Sequence, residues 1–188
     1  MRSVLLILVV AVLAYLAMLS TLYVRQRAMM YKPDPGRPEP AEYALDGVEA
    51  LTVPAHDGLA LWAWWAAPPD ATRPVVLYFH GNADSLGYRA SRVALYRSLG
   101  WGVLMPTYRY NAGAGGKPSE AALIADARAA VDWLAARGVA GDRLMLYGES
   151  LGTGVATAVA AGGVGRALVL EAPYDSTANV AQSAYWYV

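Results

Sequence analysis

Apolar residues run almost unbroken from Val4 to Val24, with Ser20 and Thr21 near the end. As a helix this run would span about 30 Å, the thickness of a hydrocarbon core. It predicts a transmembrane anchor over 1–25: the apolar part is long for a cleaved signal peptide, and no small-x-small site precedes Arg25. Arg2 flanks one side and Arg25, Arg27 and Lys32 the other, a count that mildly favours a cytoplasmic C-terminal domain, although many anchors of this kind leave the domain outside, and the side stays open. The next stretch, 26–46, carries Pro33, Pro35, Pro38 and Pro40, which favour an extended polyproline-like linker.

Beyond it the period shortens. Val48 to Pro54 and Leu59 to Ala66 predict two strands joined at His56-Asp57-Gly58, whose Asp-Gly pair is a hairpin signal. Trp62 and Trp64 share one face of the second, where aromatics at this spacing are packing residues. From Pro74 strands alternate with helical stretches. Val75 to Phe79, Gly102 to Thr107, Arg143 to Tyr147 and Ala167 to Leu170 read as strands; Ser85 to Leu99, Pro118 to Ala136 and the segment after Ser150 read as helices. Strands apolar throughout are buried on both faces, so 47–188 predicts an α/β domain with a mostly parallel sheet and flanking helices.

Composition narrows the chemistry. The 188 residues carry 15 basic and 15 acidic side chains without a basic stripe, so nucleic acid is not an expected partner. With no cysteine and only His56 and His80, neither a disulfide framework nor a thiolate or zinc site is expected, and no cofactor is implied.

The candidate chemistry lies at Gly148-Glu149-Ser150-Leu151-Gly152, between an apolar strand and a helix of small residues. Chance alone yields roughly 0.1 such Gly-x-Ser-x-Gly pentapeptides in a chain of this length, so context must carry the reading. A serine on a sharp strand-to-helix turn stands clear of the sheet, and glycines on either side relieve collisions with the neighbouring strand and helix. Ligands of open α/β sheets collect at the carboxyl ends of the strands; those ends here offer His80-Gly81-Asn82, Tyr108-Arg109, Ser150, and Glu171 with Asp175. The N–H groups of Leu151 and Asn82 would be the donors to an oxyanion formed when Ser150 attacks an acyl carbon.

Together Asp57-Gly58, Phe79-His80-Gly81-Asn82-Ala83, Tyr108-Arg109 with Gly116-Lys117-Pro118-Ser119-Glu120, the turn at Ser150, and Leu168 to Tyr174 resemble the α/β-hydrolase superfamily, specifically its membrane-anchored serine hydrolases with one N-terminal span. The resemblance covers Val48 to Val188. It implies Ser150 as nucleophile, Asn82 and Leu151 as a backbone oxyanion hole, and a small acyl, lipid or peptide substrate, with membrane lipid around the span. Two departures stand out: the family carries an acid and a glycine on either side of Tyr-Arg, where this chain has Thr107 and Tyr110, and its following loop is richer in Gly and Ser than Asn111-Ala112-Gly113-Ala114-Gly115. For Arg109 the expected part is a buried or rim ion pair anchoring this loop, the alternative being direct contact with substrate.

The triad order of such hydrolases is Ser, acid, His, and no histidine follows Ser150. Asp175 and Glu171 are placed as acids but have no base to orient. His80 ends a strand beside the serine strand, yet in the family a histidine here shapes the oxyanion loop. The expectation is therefore the N-terminal part of a hydrolase, with an exposed sheet edge after Leu170 that favours aggregation of the soluble part; the alternative is a non-catalytic hydrolase-like scaffold.

Overall fold

A computed structural model of the chain describes residues 2–82 and 85–184. The sequence-based placing of Ala83 in the oxyanion loop lies outside the described residues. Two units emerge. One holds the helices α1 (Arg2–Met30) and α5 (Thr177–Ala184), and the other, Lys32–Asp175, is the α/β body. Helix α1 has a mean hydropathy of 2.7 over its most apolar window and none of that window is buried. Its length and composition suit either a membrane span or a signal sequence.

In the body, β1 (Glu49–Pro54) and β2 (Ala60–Ala66) form the expected antiparallel hairpin, with Pro54 opposite Ala60. Gly58 at φ +83° and the bond from the Leu59 N–H to Asp57 Oδ1 make the turn that Asp-Gly signals. Strand β2 lies antiparallel to β4 (Gly102–Pro106), and β4, β3 (Val75–Phe79), β5 (Leu144–Glu149) and β6 (Ala167–Glu171) run parallel, in the order β1-β2-β4-β3-β5-β6. The sheet is thus mixed and mostly parallel. Every residue of β3 and β4 is buried, the reason their sequences lack polar alternation.

Alternate residues serve opposite faces. Val76, Tyr78, Val103, Met105 and Trp64 pack on one side against Val93 and Tyr96 of α2 (Ala90–Ser98). On the body's α3 (Glu120–Ala135) and α4 (Leu151–Ala160) the buried stripes are Leu123, Ala127, Ala130 and Leu134, and Val155, Ala156 and Val159. Fully buried leucines such as Leu77, Leu104 and Leu146 each contribute about 2 kcal/mol of transfer free energy. Ser119 caps α3, its hydroxyl accepting from the Ala122 N–H at 3.2 Å, and Gly138 at φ +75° closes the turn that follows the helix. The segment expected to be one helix from Ser85 starts instead as a 3-10 turn, Leu86–Arg89, before α2 proper.

The proline-rich stretch is extended but not free of the body. Both indole N–H groups of Trp62 and Trp64 donate to the Pro38 carbonyl, at 3.3 and 2.9 Å, and Pro38 and Pro40 are buried. Asp34 clasps the loop after β4: its N–H donates to Asn111 Oδ1 at 3.0 Å and its carbonyl accepts from the Ala112 N–H at 2.7 Å. A two-tryptophan face on β2 therefore has a specific cause, the docking of this strap. At the other edge β6 leaves Leu168, Val169 and Leu170 about 40 % exposed.

Candidate active site

Ser150 sits between β5 and α4 with φ 49° and ψ −114°, a left-handed conformation that costs a non-glycine residue on the order of 1–3 kcal/mol. Its surroundings hold it there. The Ser150 N–H donates to the Glu171 carbonyl of β6 at 2.9 Å, and its carbonyl accepts from the Thr153 N–H at 2.8 Å and Thr153 Oγ1 at 2.6 Å. A Cβ on Gly148 would stand 2.4 Å from the Gly152 carbonyl oxygen, and one on Gly152 would stand 2.0 Å from that of Phe79. Backbone meets backbone at both positions, so neither glycine tolerates a side chain. The serine side is exposed, and the Leu151 N–H lies in the first turn of α4, where helix geometry provides no intrahelical acceptor.

The loop after β3 lies against this turn. A Cβ on Gly81 would be 3.6 Å from Ser150 Cβ, which puts the Gly81-Asn82 peptide next to the serine. Tyr108 and Tyr110 approach that loop from behind: the Tyr108 hydroxyl donates to the His80 carbonyl at 2.6 Å and the Tyr110 hydroxyl to Asn82 Oδ1 at 3.0 Å. His80 itself is closed off. Its ring packs on Tyr108 with centroids 4.5 Å apart, Nδ1 donates to the Gly81 carbonyl at 2.6 Å, Nε2 has no hydrogen-bond partner among the described residues, and burial pushes the imidazole down to about 4. A histidine so placed shapes the loop and is not bonded to Ser150 Oγ.

Beneath the turn Glu149 accepts a bidentate pair from Arg89, 3.0 Å to Nε and 2.6 Å to Nη2, and a bond from the Tyr78 hydroxyl at 2.8 Å. Burial raises the Glu149 pKa, but the Arg89 and Tyr78 bonds outweigh it and the net shift is downward, so it stays ionised. One strand further, Glu171 takes Arg92 at 2.6 Å and the Tyr147 hydroxyl at 2.5 Å, bonds that also lower its pKa. Glu149 and Glu171 are register partners, and Arg89 and Arg92 lie one turn apart at the start of α2, so two ion pairs tie that helix to two strand ends. The sequence marks Glu149 only as the variable residue of the turn; Arg89, 60 positions away, is legible only in three dimensions.

A second network holds the loop after β4. Arg109 donates twice to Asp126, both at 2.7 Å, and to Asp57 at 3.1 and 3.3 Å, so it is the anchoring ion pair that the sequence led us to expect. His56 joins at the turn, Nδ1 lying 2.7 Å from Asp126 Oδ1. The ligand atoms of His56, Asp57 and Asp126 lie within 4.8 Å of one another, but the Arg109 guanidinium bonds both carboxylates and takes the place a cation would need. His56 is at the outer hairpin, three strand intervals of about 4.8 Å from β5, so it is not brought to Ser150.

This geometry has recognisable relatives. The chain is 35 % identical over 181 residues to an uncharacterized protein of Mycobacterium tuberculosis, covering 94 % of this chain and 64 % of that one. It is 38 % identical over 149 residues to the lysophosphatidylserine lipase ABHD12 of Gallus gallus, covering 70 % and 37 %. Among solved structures, a thermostable carboxyl esterase from Bacillus coagulans superposes with a TM-score of 0.55 at 18 % identity, over 66 % of this chain and 44 % of the esterase. No protein-family model matches the chain. A serine on a strained strand-to-helix turn at the carboxyl edge of a mostly parallel sheet is the arrangement of an α/β hydrolase. The chain belongs to the α/β-hydrolase superfamily and spans less than two thirds of the length of these curated relatives.

Proposed function

We propose that the chain is the nucleophile-bearing part of a membrane-anchored serine hydrolase that cleaves ester, thioester or amide bonds through an acyl-enzyme at Ser150. The observation that carries this is the Ser150 backbone, held at φ 49° by four independent constraints: Gly148, Gly152, the Glu171 carbonyl and Thr153. Backbone strain of this kind clusters at active sites.

In the step envisaged, Ser150 Oγ attacks the acyl carbon, its proton passes to a histidine base, and the N–H groups of Asn82 and Leu151 receive the oxyanion. Collapse expels the alcohol, thiol or amine with that proton, and water then cleaves the Ser150 ester. The acid and base are expected from the portion of the relatives' length that these residues do not span. Helix α1 supplies the anchor, and a monoacyl phospholipid is the substrate class that the lipase relative favours.

A fluorophosphonate probe tests the reading. It is expected to label the membrane-bound protein at Ser150 and to leave Ser150→Ala unlabelled. His80→Asn should still be labelled at Ser150, since His80 is not the base. The scaffold alternative draws on one observation, that both histidines of this sequence precede Ser150 and neither is bonded to it. Absence of labelling when the reading frame downstream of Val188 is expressed with the rest would favour the scaffold.

A further inference from the structure

The Tyr110 hydroxyl reaches Asn82, 28 residues earlier, at 3.0 Å. The ring is buried and stacks on Tyr108, centroids 5.7 Å apart and planes 11° from parallel, while Tyr108 packs in turn on His80. Two hydroxyls from one loop thus hold the segment after β3 at two points: the His80 carbonyl and the Asn82 side chain. Between those points lies the Gly81-Asn82 peptide, whose N–H is the proposed oxyanion donor. A glycine hinge on its own would leave that peptide free to rotate.

The loop that carries Tyr110 is itself held firmly. Beyond the Asp34 clasp, Arg37 Nε donates to the Ala112 carbonyl at 2.7 Å, and the Gly116 N–H closes on the Arg109 carbonyl at 2.8 Å. Ala112 lies at φ 52°, a conformation this double attachment maintains.

We propose that Tyr110 is a positioning residue for the oxyanion hole: its hydroxyl, through Asn82 Oδ1, fixes the direction of the Asn82 N–H. The proposal rests on Ser150 being the nucleophile only for its catalytic consequence; the positioning itself is a statement about the loop. A misdirected donor loses transition-state stabilisation while ground-state binding remains, so kcat bears the effect and KM does not.

Tyr110→Phe in the full chain, which keeps the stacked ring and removes one oxygen, is the test. Amide hydrogen exchange over residues 80–82 should rise several-fold, with the melting temperature and exchange in β3 unchanged. Acylation of Ser150 by an activated ester should slow by about 5–10-fold in kcat at constant KM, a share of the ~100-fold effect of losing a donor outright. Asn82→Ala removes the acceptor, so adding Tyr110→Phe to it should slow the reaction no further. Wild-type exchange in Tyr110→Phe would overturn the proposal, as would multiplicative effects of the two changes. If the protein expressed together with the reading frame downstream of Val188 is not acylated at all, the nucleophile reading falls, while the exchange measurement still decides the part played by Tyr110.

Discussion

Two arginine-centred networks stabilise this body, and they differ in what they hold. Arg109 ties together the β1–β2 turn, the loop after β4 and α3, and both it and Asp126 keep only 7 % of their side chains exposed. Arg89 ties the start of α2 to Glu149, the residue before Ser150, with side chains 9 % and 22 % exposed. The first network closes the rim away from the serine, and the second lies directly under it. A buried ion pair stabilises little in itself, but losing one partner strands a charge, so burial ranks the consequences.

Breaking the deeper network should have the largest effect. Arg109→Met would leave Asp126 buried without its bidentate partner and should cost about 3–5 kcal/mol in urea unfolding, which would also release Tyr110. A loss below about 1 kcal/mol would show that Asp126 is reached by water and that the loop is held by its strap alone.

Acid should distinguish the two sides by where it acts. His80 has a folded pKa of about 4 against an unfolded 6.5, so the unfolded chain binds the extra proton between those values and stability falls as pH drops from about 6.5 towards 4. The full effect is on the order of 3 kcal/mol. Asp57, held low chiefly by its bond to Arg109, adds stabilisation that persists until pH falls below about 4. Unfolding free energies measured from pH 7 to 4.5 should therefore report His80, and His80→Asn should flatten that part of the profile.

Arg89→Met should cost about 1–3 kcal/mol, less than Arg109→Met because Glu149 keeps some solvent. It should slow Ser150 acylation beyond what stability explains, since an unpaired carboxylate would face the developing oxyanion. Adding Glu149→Gln should recover most of the rate; failure to recover would confine Arg89 to holding α2. Arg92→Met sharpens the ranking at its lower end. Arg92 and Glu171 are 38 % and 39 % exposed, and the pair should be worth less than about 1 kcal/mol, with a loss that shrinks in high salt.

The elements legible in the sequence are those whose causes are local. Asp57-Gly58 marks the hairpin, Ser119 and Gly138 mark the limits of α3, and the all-apolar runs of β3 and β4 mark strands covered on both faces. The strap was harder to read, because four prolines describe an extended path equally well in water or against a protein surface. What places it there is Trp62 and Trp64 meeting one carbonyl, a contact across 24 and 26 residues. Glu149 gave no signal at all, since its partners Tyr78 and Arg89 lie 71 and 60 positions away. Tyr110 was visible only as a departure from the superfamily.

The turn at Ser150 is legible in the sequence through its two glycines, although only Gly148 answers to a local neighbour, the Gly152 carbonyl, while Gly152 answers to Phe79 on another strand. How that turn is equipped belongs to the fold. Hydrogen bonds and ion pairs between residues 20 to 80 positions apart depend on register and helix docking, and these set the Glu171 carbonyl on the Ser150 N–H, Arg89 on Glu149 and Tyr110 on Asn82. No single stretch of sequence encodes such contacts, because their free energy is realised only when strands and loops are packed together.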